Sequence, residues 1–491
     1  LERFRPLKLR ECPGQYGCLS FWIFSLKGDV YSAWAMDFAG RKQGNWIRSS
    51  NFDFRAVRYV NVQREGKNEA HPLLLESFDK VSILPRHMRQ FWVTYYIPEG
   101  TAPGTYGGRI HVERKDGYHV LLPVDIEVHP FRLAEPDMNL YFYSDSPDDP
   151  GVAEREFADQ RLHGMNMGLV SPPVTAGGEL KRGEFLALLD AYAGAGFPRR
   201  RVLVELYNRI TSEWLNEPDK SIGMWGPWFR YYPFSVELDS RYVSTVRFIR
   251  DEARKRGLEL VLAAADEAGS HAWTIPAARH YYGLIKREVP DVVRELTVGG
   301  GWASGEDENG HWKGLVNVWT TNRLFEKELK RVREDDPSAV IQLYNMAGAG
   351  SGPGGVLAAR NLFGFFGWKA KAGGAAQWVY CHSSTPEHNY AWPADGGPGA
   401  TVPTLRWEAV REGVKDRRYV ETLERLLEGK KGPVADEARA FLREIAGKIE
   451  LRHEDYDPVS GGRIPAHPPG TYDEWRDRIS DFIVKLNAES G

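Results

Sequence analysis

Over residues 1–135, hydrophobic and polar positions alternate in short segments broken by turn residues. Gly108-Arg109-Ile110-His111-Val112 and the run from His119 to Val128 flank Lys115-Asp116-Gly117. A period of two around an Asp-Gly turn predicts an antiparallel hairpin, and its repetition along this stretch predicts a β-sandwich accessory domain. After Pro136 the rhythm changes to strand then helix. Apolar strand segments fall at Met138–Tyr143, Met167–Val170, Val202–Leu206, Leu258–Ala265, Leu296–Val298, Leu315–Trp319, Val340–Tyr344 and Ala375–Tyr380. Amphipathic stretches lie between most of them, at Phe185–Tyr192, Val243–Ala253, Leu324–Val332 and Val356–Trp368. Strands and helices alternating in this way over residues 136–428 predict an α/β fold, a (β/α)8 TIM-like barrel that would carry the catalysis. Residues 429–491 read as a C-terminal helical extension. Val434, Phe441, Leu442, Ile445 and Ile449 share one helix face, and Trp475, Ile479, Phe482, Ile483 and Leu486 share another behind a Thr471-x-x-Glu474 capping box.

A chain of 491 residues has ample length for a large core and appended modules. With 64 basic and 67 acidic residues and no long run of one sign, nothing points to nucleic acid or a membrane surface as partner. No apolar stretch is long enough to span a membrane. The sequence starts at Leu1 without an initiator Met, so processing or truncation is expected; a removed signal peptide would make the protein secreted or periplasmic. Cys12, Cys18 and Cys381 are too few for a disulfide framework, although Cys12 and Cys18 are close enough to close a small loop. The 16 Trp and 22 Tyr supply rings on which the apolar faces of sugars stack.

The chemistry concentrates at Asp266-Glu267, which ends the apolar run Leu258–Ala265. Counting strands puts this pair at the C-terminal end of strand four, on the face where barrels build active sites. Neighbouring strand residues point to opposite faces, so both carboxylates reach one substrate only if the strand has ended or bulged. Alternatively, Asp266 caps a helix starting near Pro276. Common glycosidases need two facing carboxyl groups. Strand six runs on to Asn322 and strand seven to Asn345 without an acid, leaving Asp145, Glu205 and Glu387 as outsiders. That absence favours a substrate-assisted mechanism, in which the sugar's own 2-acetamido carbonyl is the nucleophile. Two weaker signals remain. The glycine-rich loop Gly348–Gly355 lacks the Gly-Lys-Ser/Thr ending of a phosphate loop, and Cys381-His382 with Glu387-His388 fits no metal-ligand spacing.

The Asp266-Glu267 pair on its barrel, together with Pro403-Thr404-Leu405-Arg406-Trp407-Glu408-Ala409-Val410-Arg411-Glu412-Gly413-Val414-Lys415-Asp416-Arg417-Arg418-Tyr419, resembles glycoside hydrolase family 123, the exo-acting β-N-acetylgalactosaminidases. The end of the sandwich, Leu122 to Leu133, fits the same layout. The resemblance implies retaining hydrolysis of a terminal sugar through an oxazolinium intermediate, without metal or organic cofactor. Glu267 would protonate the glycosidic oxygen and then activate water, and Asp266 would hold the acetamido N–H. Glu267 then needs a pKa raised toward neutrality, which an adjacent anion and partial burial favour. Trp319, Tyr344, Trp378 and Tyr380 would wall the sugar pocket, with Tyr344 or Asn345 donating to the acetamido oxygen, and Trp225 would lie on an aromatic loop after strand three. A glycosidase for non-acetylated sugars with a second carboxylate, and a non-catalytic carbohydrate-binding protein, are the competing readings. Oligomeric state is not legible.

Overall fold

The computed structural model describes residues 6–41, 44–64, 67–144, 149–175, 179–206, 236–266, 275–298, 308–321, 326–347, 353–382, 388–393, 401–452 and 464–489. The first part contains β1 (Leu7–Glu11), β2 (Tyr16–Ser25), β3 (Asp29–Ala35), β4 (Phe38–Gly40), β5 (Trp46–Ile47), β6 (Phe52–Arg64), β7 (Lys67–Ser77), β8 (Val81–Ile83), β9 (His87–Tyr96), β10 (Gly104–Arg114) and β11 (His119–Val128). One sheet is ordered β1-β11-β10-β3-β8, with β4 on β10 and β5 on β4; the second is ordered β2-β9-β6-β7. Between them lie Phe38, Ile47, Phe91, Val93, Ile110 and Ile126, all buried. The β10–β11 hairpin has the register Gly104↔Val128 to Glu113↔His119. Its turn places Gly117 at φ 87°, where a side chain would be strained, and the Asp116 carboxylate accepts bonds from Arg114 Nε and Tyr118 N. β1 departs from the antiparallel expectation and pairs parallel with β11. It is not joined to β11 by a turn, so no hairpin dictates its direction.

The second part alternates strand and helix: β12 (Asn139–Phe142), α1 (Pro150–Leu162), β13 (Gly168–Val170), α2 (Arg182–Gly194), β14 (Arg201–Glu205), α3 (Val236–Lys255), β15 (Glu259–Ala263), α4 (Ile275–Glu288), β16 (Val293–Val298), α5 (Glu308–Trp312), β17 (Val318–Thr321), α6 (Glu326–Asp335), β18 (Val340–Tyr344), α7 (Pro353–Asn361), a π-turn at Leu362–Phe366, α8 (Gly367–Lys369) and β19 (Gly374–Gln377). The eight strands make one parallel sheet ordered β12-β19-β18-β17-β16-β15-β14-β13. Asn166 draws its two ends together: its side chain accepts from Leu140 N and donates to Met138 O, both at 2.8 Å. Met167 N also donates to Leu140 O, and the result is a nearly closed barrel.

Successive strand residues alternate between two apolar clusters. Leu140, Val202, Leu262, Leu296, Trp319 and Ile341 pack outward with the helices; Tyr141, Tyr143, Leu203, Val261, Tyr344 and Ala376 pack inward. The helix predicted at Val356–Trp368 is broken at Gly364, whose φ and ψ of −106° and −117° are not helical.

A short β-pair, β20 (Ala391–Pro393) and β21 (Thr401–Pro403), precedes α9 (Leu405–Leu427), α10 (Pro433–Lys448) and α11 (Pro469–Ala488). Thr404 caps α9 by accepting from Trp407 N. A β-carbon on Gly413 would sit 2.2 Å from Arg360 O, so glycine lets α9 cross α7 in backbone contact. Buried charges tie α9 to its surroundings: Lys415 Nζ to Glu11 of the sandwich at 2.8 Å, Asp416 to Arg360 at 2.7 Å, and Glu412 to Arg476 of α11 at 2.7 Å. The capping box expected at Thr471 does not form. α11 begins at Pro469, whose fixed φ suits a first helical position, and no side chain caps it.

Candidate active site at the barrel mouth

β15 ends at Ala263, and Ala264 and Ala265 continue the buried run to a half-buried Asp266. The strand has therefore ended before the carboxylate, which frees Asp266 from strict alternation. Tyr282 of α4 secures this exit: its hydroxyl accepts from Ala264 N at 3.2 Å and donates to Glu295 O at 2.5 Å. α4 is described from Ile275 onward, and the residues between it and Asp266 lie outside the described residues. Glu267 and Trp225 lie outside the described residues, as do Asp145 and Glu387.

Inside the barrel, the wall toward β12, β16, β17 and β18 is polar, where barrels ordinarily carry branched aliphatics. Glu295 and Thr297 point inward from β16, and the Thr297 hydroxyl lies 3.4 Å from Glu295 Oε1. Thr297 in turn meets Tyr143 Oη at 3.1 Å, and Tyr143 Oη meets Tyr141 Oη at 3.4 Å. Gln342 of β18 lies across Gly374 of β19; a β-carbon there would come within 2.7 Å of Gln342 Cδ. Burial, and then the negative charge of Glu205, push the Glu295 carboxyl up to about 8, against opposing hydrogen bonds from Thr320 and Thr297. Burial likewise holds the Tyr141 and Tyr143 phenols well above their ordinary range. Glu205 ends β14 half-buried, and its charge acts on Glu295, Tyr141 and Tyr143. It therefore faces the same interior as the candidate site.

The aromatic candidates divide by register. Tyr344 is at the end of β18, its ring edge-on to Tyr143 with centroids 5.2 Å apart. Asn345 follows at φ 51°, a left-handed conformation that Asn tolerates better than most residues. Its Oδ1 accepts a bond from Gln377 Nε2. Trp378, half-buried just past β19, packs near His382 and His388, with ring centroids 5.4 and 4.8 Å away. Trp319 and Tyr380 are not brought to the mouth. Trp319 belongs to the outer cluster, because its neighbour Thr320 takes the inward position on β17. The Tyr380 hydroxyl donates to Asp159 of α1 at 2.9 Å, beside Trp407, whose Nε1 donates to the same carboxylate at 2.8 Å. The loop that Cys12 and Cys18 could close is open. Both thiols are free, and Cys12 Sγ lies 3.3 Å from Tyr419 Oη.

Glu295 escapes the sequence reading because the apolar run starts strand five at Leu296. The signal is nevertheless present: in Val293-Arg294-Glu295-Leu296-Thr297-Val298 the period of two places Glu295 and Thr297 on one face.

No family model matches the sequence, and no curated protein matches it. Among solved structures, a family 123 glycoside hydrolase from Clostridium perfringens, described for glycolipid glycan hydrolysis, superposes with a TM-score of 0.69 at 11% identity, covering 98% of this chain and 94% of that one. A family 39 glycoside hydrolase from Bacteroides cellulosilyticus WH2 gives a TM-score of 0.43 at 11% identity, covering 84% of this chain and 83% of that one. A sandwich, a barrel whose eight strands run in parallel, and terminal helices, matched together over nearly the whole length, give this chain the fold of a family 123 glycoside hydrolase.

Proposed function

We propose that the chain is a glycoside hydrolase, a retaining, substrate-assisted exo-β-N-acetylhexosaminidase whose preferred sugar is N-acetylgalactosamine. The observation that carries this reading is the position of Asp266, just past the end of β15 on the face where barrels place catalytic groups, in a chain with this fold. Asp266 holds the acetamido N–H and stabilises the positive charge that develops as the carbonyl oxygen attacks the anomeric carbon. Glu267 protonates the departing oxygen and later takes a proton from water. Tyr344, Asn345 and Trp378 form the sugar-facing wall. Asp266→Asn and Glu267→Gln should each lower kcat/KM on an unactivated glycoside by about 10²- to 10⁴-fold. Near-full activity in either variant overturns the assignment.

One observation favours a second reading. Glu205 faces the barrel interior from the end of β14, where a second carboxylate could serve a sugar lacking the acetamido group. Under that reading Glu205→Gln abolishes turnover of a plain galactoside. Under the first it leaves hydrolysis of the acetamido sugar largely intact.

A further inference from the structure

Glu295 presents a physical puzzle. A carboxyl group fully enclosed in a barrel gains less stability than a leucine would, because it must be desolvated. Among the described residues no cation acts on it. The groups facing it are Glu205 from β14, Tyr141 from β12 and Tyr143 just past its end, Thr320 from β17, and Tyr282 from α4. Its hydrogen-bonded chain leads through Thr297 to Tyr143, whose ring meets Tyr344 at the mouth. Polar groups kept in a core against their stability cost mark a functional demand.

We propose that Glu295 is a positioning residue, acting through Thr297 on the Tyr143 hydroxyl and hence on the Tyr344 ring at the floor of the sugar pocket. This role rests on the glycosidase reading above and deepens it. With its proton, Glu295 is neutral and accepts at Oε1 from the Thr297 hydroxyl. Without it, a second anion joins Glu205 beneath Tyr143, and that charge acts on the Tyr143 phenol.

The test uses the full chain and 4-nitrophenyl N-acetyl-β-galactosaminide. In wild type, besides the limb set by ionisation of the acid Glu267, kcat should show a second alkaline limb as pH rises through about 8, the value to which the Glu295 carboxyl is raised. Glu295→Gln, neutral at every pH and of the same shape, should keep the neutral-pH rate and lose that alkaline limb. Glu295→Leu, which cannot bond to Thr297, should lose about 10- to 100-fold in kcat. An unchanged limb in Glu295→Gln, or wild-type kcat in a folded Glu295→Leu, overturns the proposal.

Tyrosine difference absorbance supplies a readout that needs no turnover. A step near pH 8 should appear in wild type, vanish in Glu295→Gln and shrink in Tyr143→Phe. If wild type cleaves no glycoside, the glycosidase reading falls and the positioning role falls with it, while the step still reports whether Glu295 and Tyr143 are coupled. A missing step overturns the coupling itself, whatever the activity.

Discussion

Replacing Glu295 by glutamine should change how stability depends on pH, in a direction fixed by the carboxyl's surroundings. Its ordinary value is 4.5, and enclosure in the barrel raises it to about 8. Between those values the unfolded chain has released the proton and the folded chain still holds it. Glu295 therefore contributes its full stabilisation below about pH 4.5, loses it progressively as pH rises, and contributes none of it above about pH 8. Each step of one in pKa is worth about 1.4 kcal/mol. The whole interval then amounts to roughly 5 kcal/mol, and water entering the barrel on ionisation would reduce it to about half. Glu295→Gln has no such proton to lose, so its stability relative to wild type should rise by about 2 to 5 kcal/mol from about pH 5 to about pH 8.5. Urea unfolding of both proteins at several pH values, following the barrel transition by near-ultraviolet circular dichroism, measures the difference. A difference that stays flat across this range would refute the reasoning, because Glu295 would then titrate alike in the folded and unfolded chains.

Three further outcomes follow from packing and register. Trp378→Ala should raise KM for an aryl glycoside by about tenfold with little loss of fold, since the ring is half-buried at the mouth; steady-state kinetics on the folded variant checks this. Tyr380→Phe should leave KM unchanged and cost about 1 to 3 kcal/mol in unfolding free energy, because its hydroxyl serves the buried Asp159; urea unfolding measures the loss. Lys415→Met should destabilise the fold by about 3 to 5 kcal/mol, as Glu11 and Glu412 would lose a buried partner, and thermal unfolding would show it.

The architecture is legible in the sequence wherever period and turn chemistry agree. β18 runs Val340–Tyr344 as its apolar residues indicate, and the β10–β11 hairpin follows from Asp116-Gly117. Register is harder. The apolar pattern starts strand six at Leu315, yet Leu315 closes a turn on Trp312 and the strand starts at Val318. Trp319 then faces the helices, because alternation assigns a whole strand to its faces and single residues cannot be chosen for the pocket. α1 escapes notice because its buried side includes Glu156 and Gln160, which weaken the amphipathic pattern. Tyr380 resembles a pocket residue from its place near a strand end, but its partner Asp159 is more than two hundred positions away in the chain. Polar residues that meet across the fold leave no local trace of their partner in the sequence: the period of two puts Glu295 and Thr297 on one face of β16, but nothing near them points to Tyr143.

The central claim is hydrolysis assisted by the acetamido group at the mouth of this barrel. The most direct measurement compares kcat/KM of the wild-type protein on 4-nitrophenyl N-acetyl-β-galactosaminide and on the matching galactoside without the acetamido group. Turnover of the first alone, with inhibition by an N-acetylgalactosamine-derived thiazoline, is the predicted result. Comparable cleavage of the galactoside would contradict the account and direct attention to Glu205.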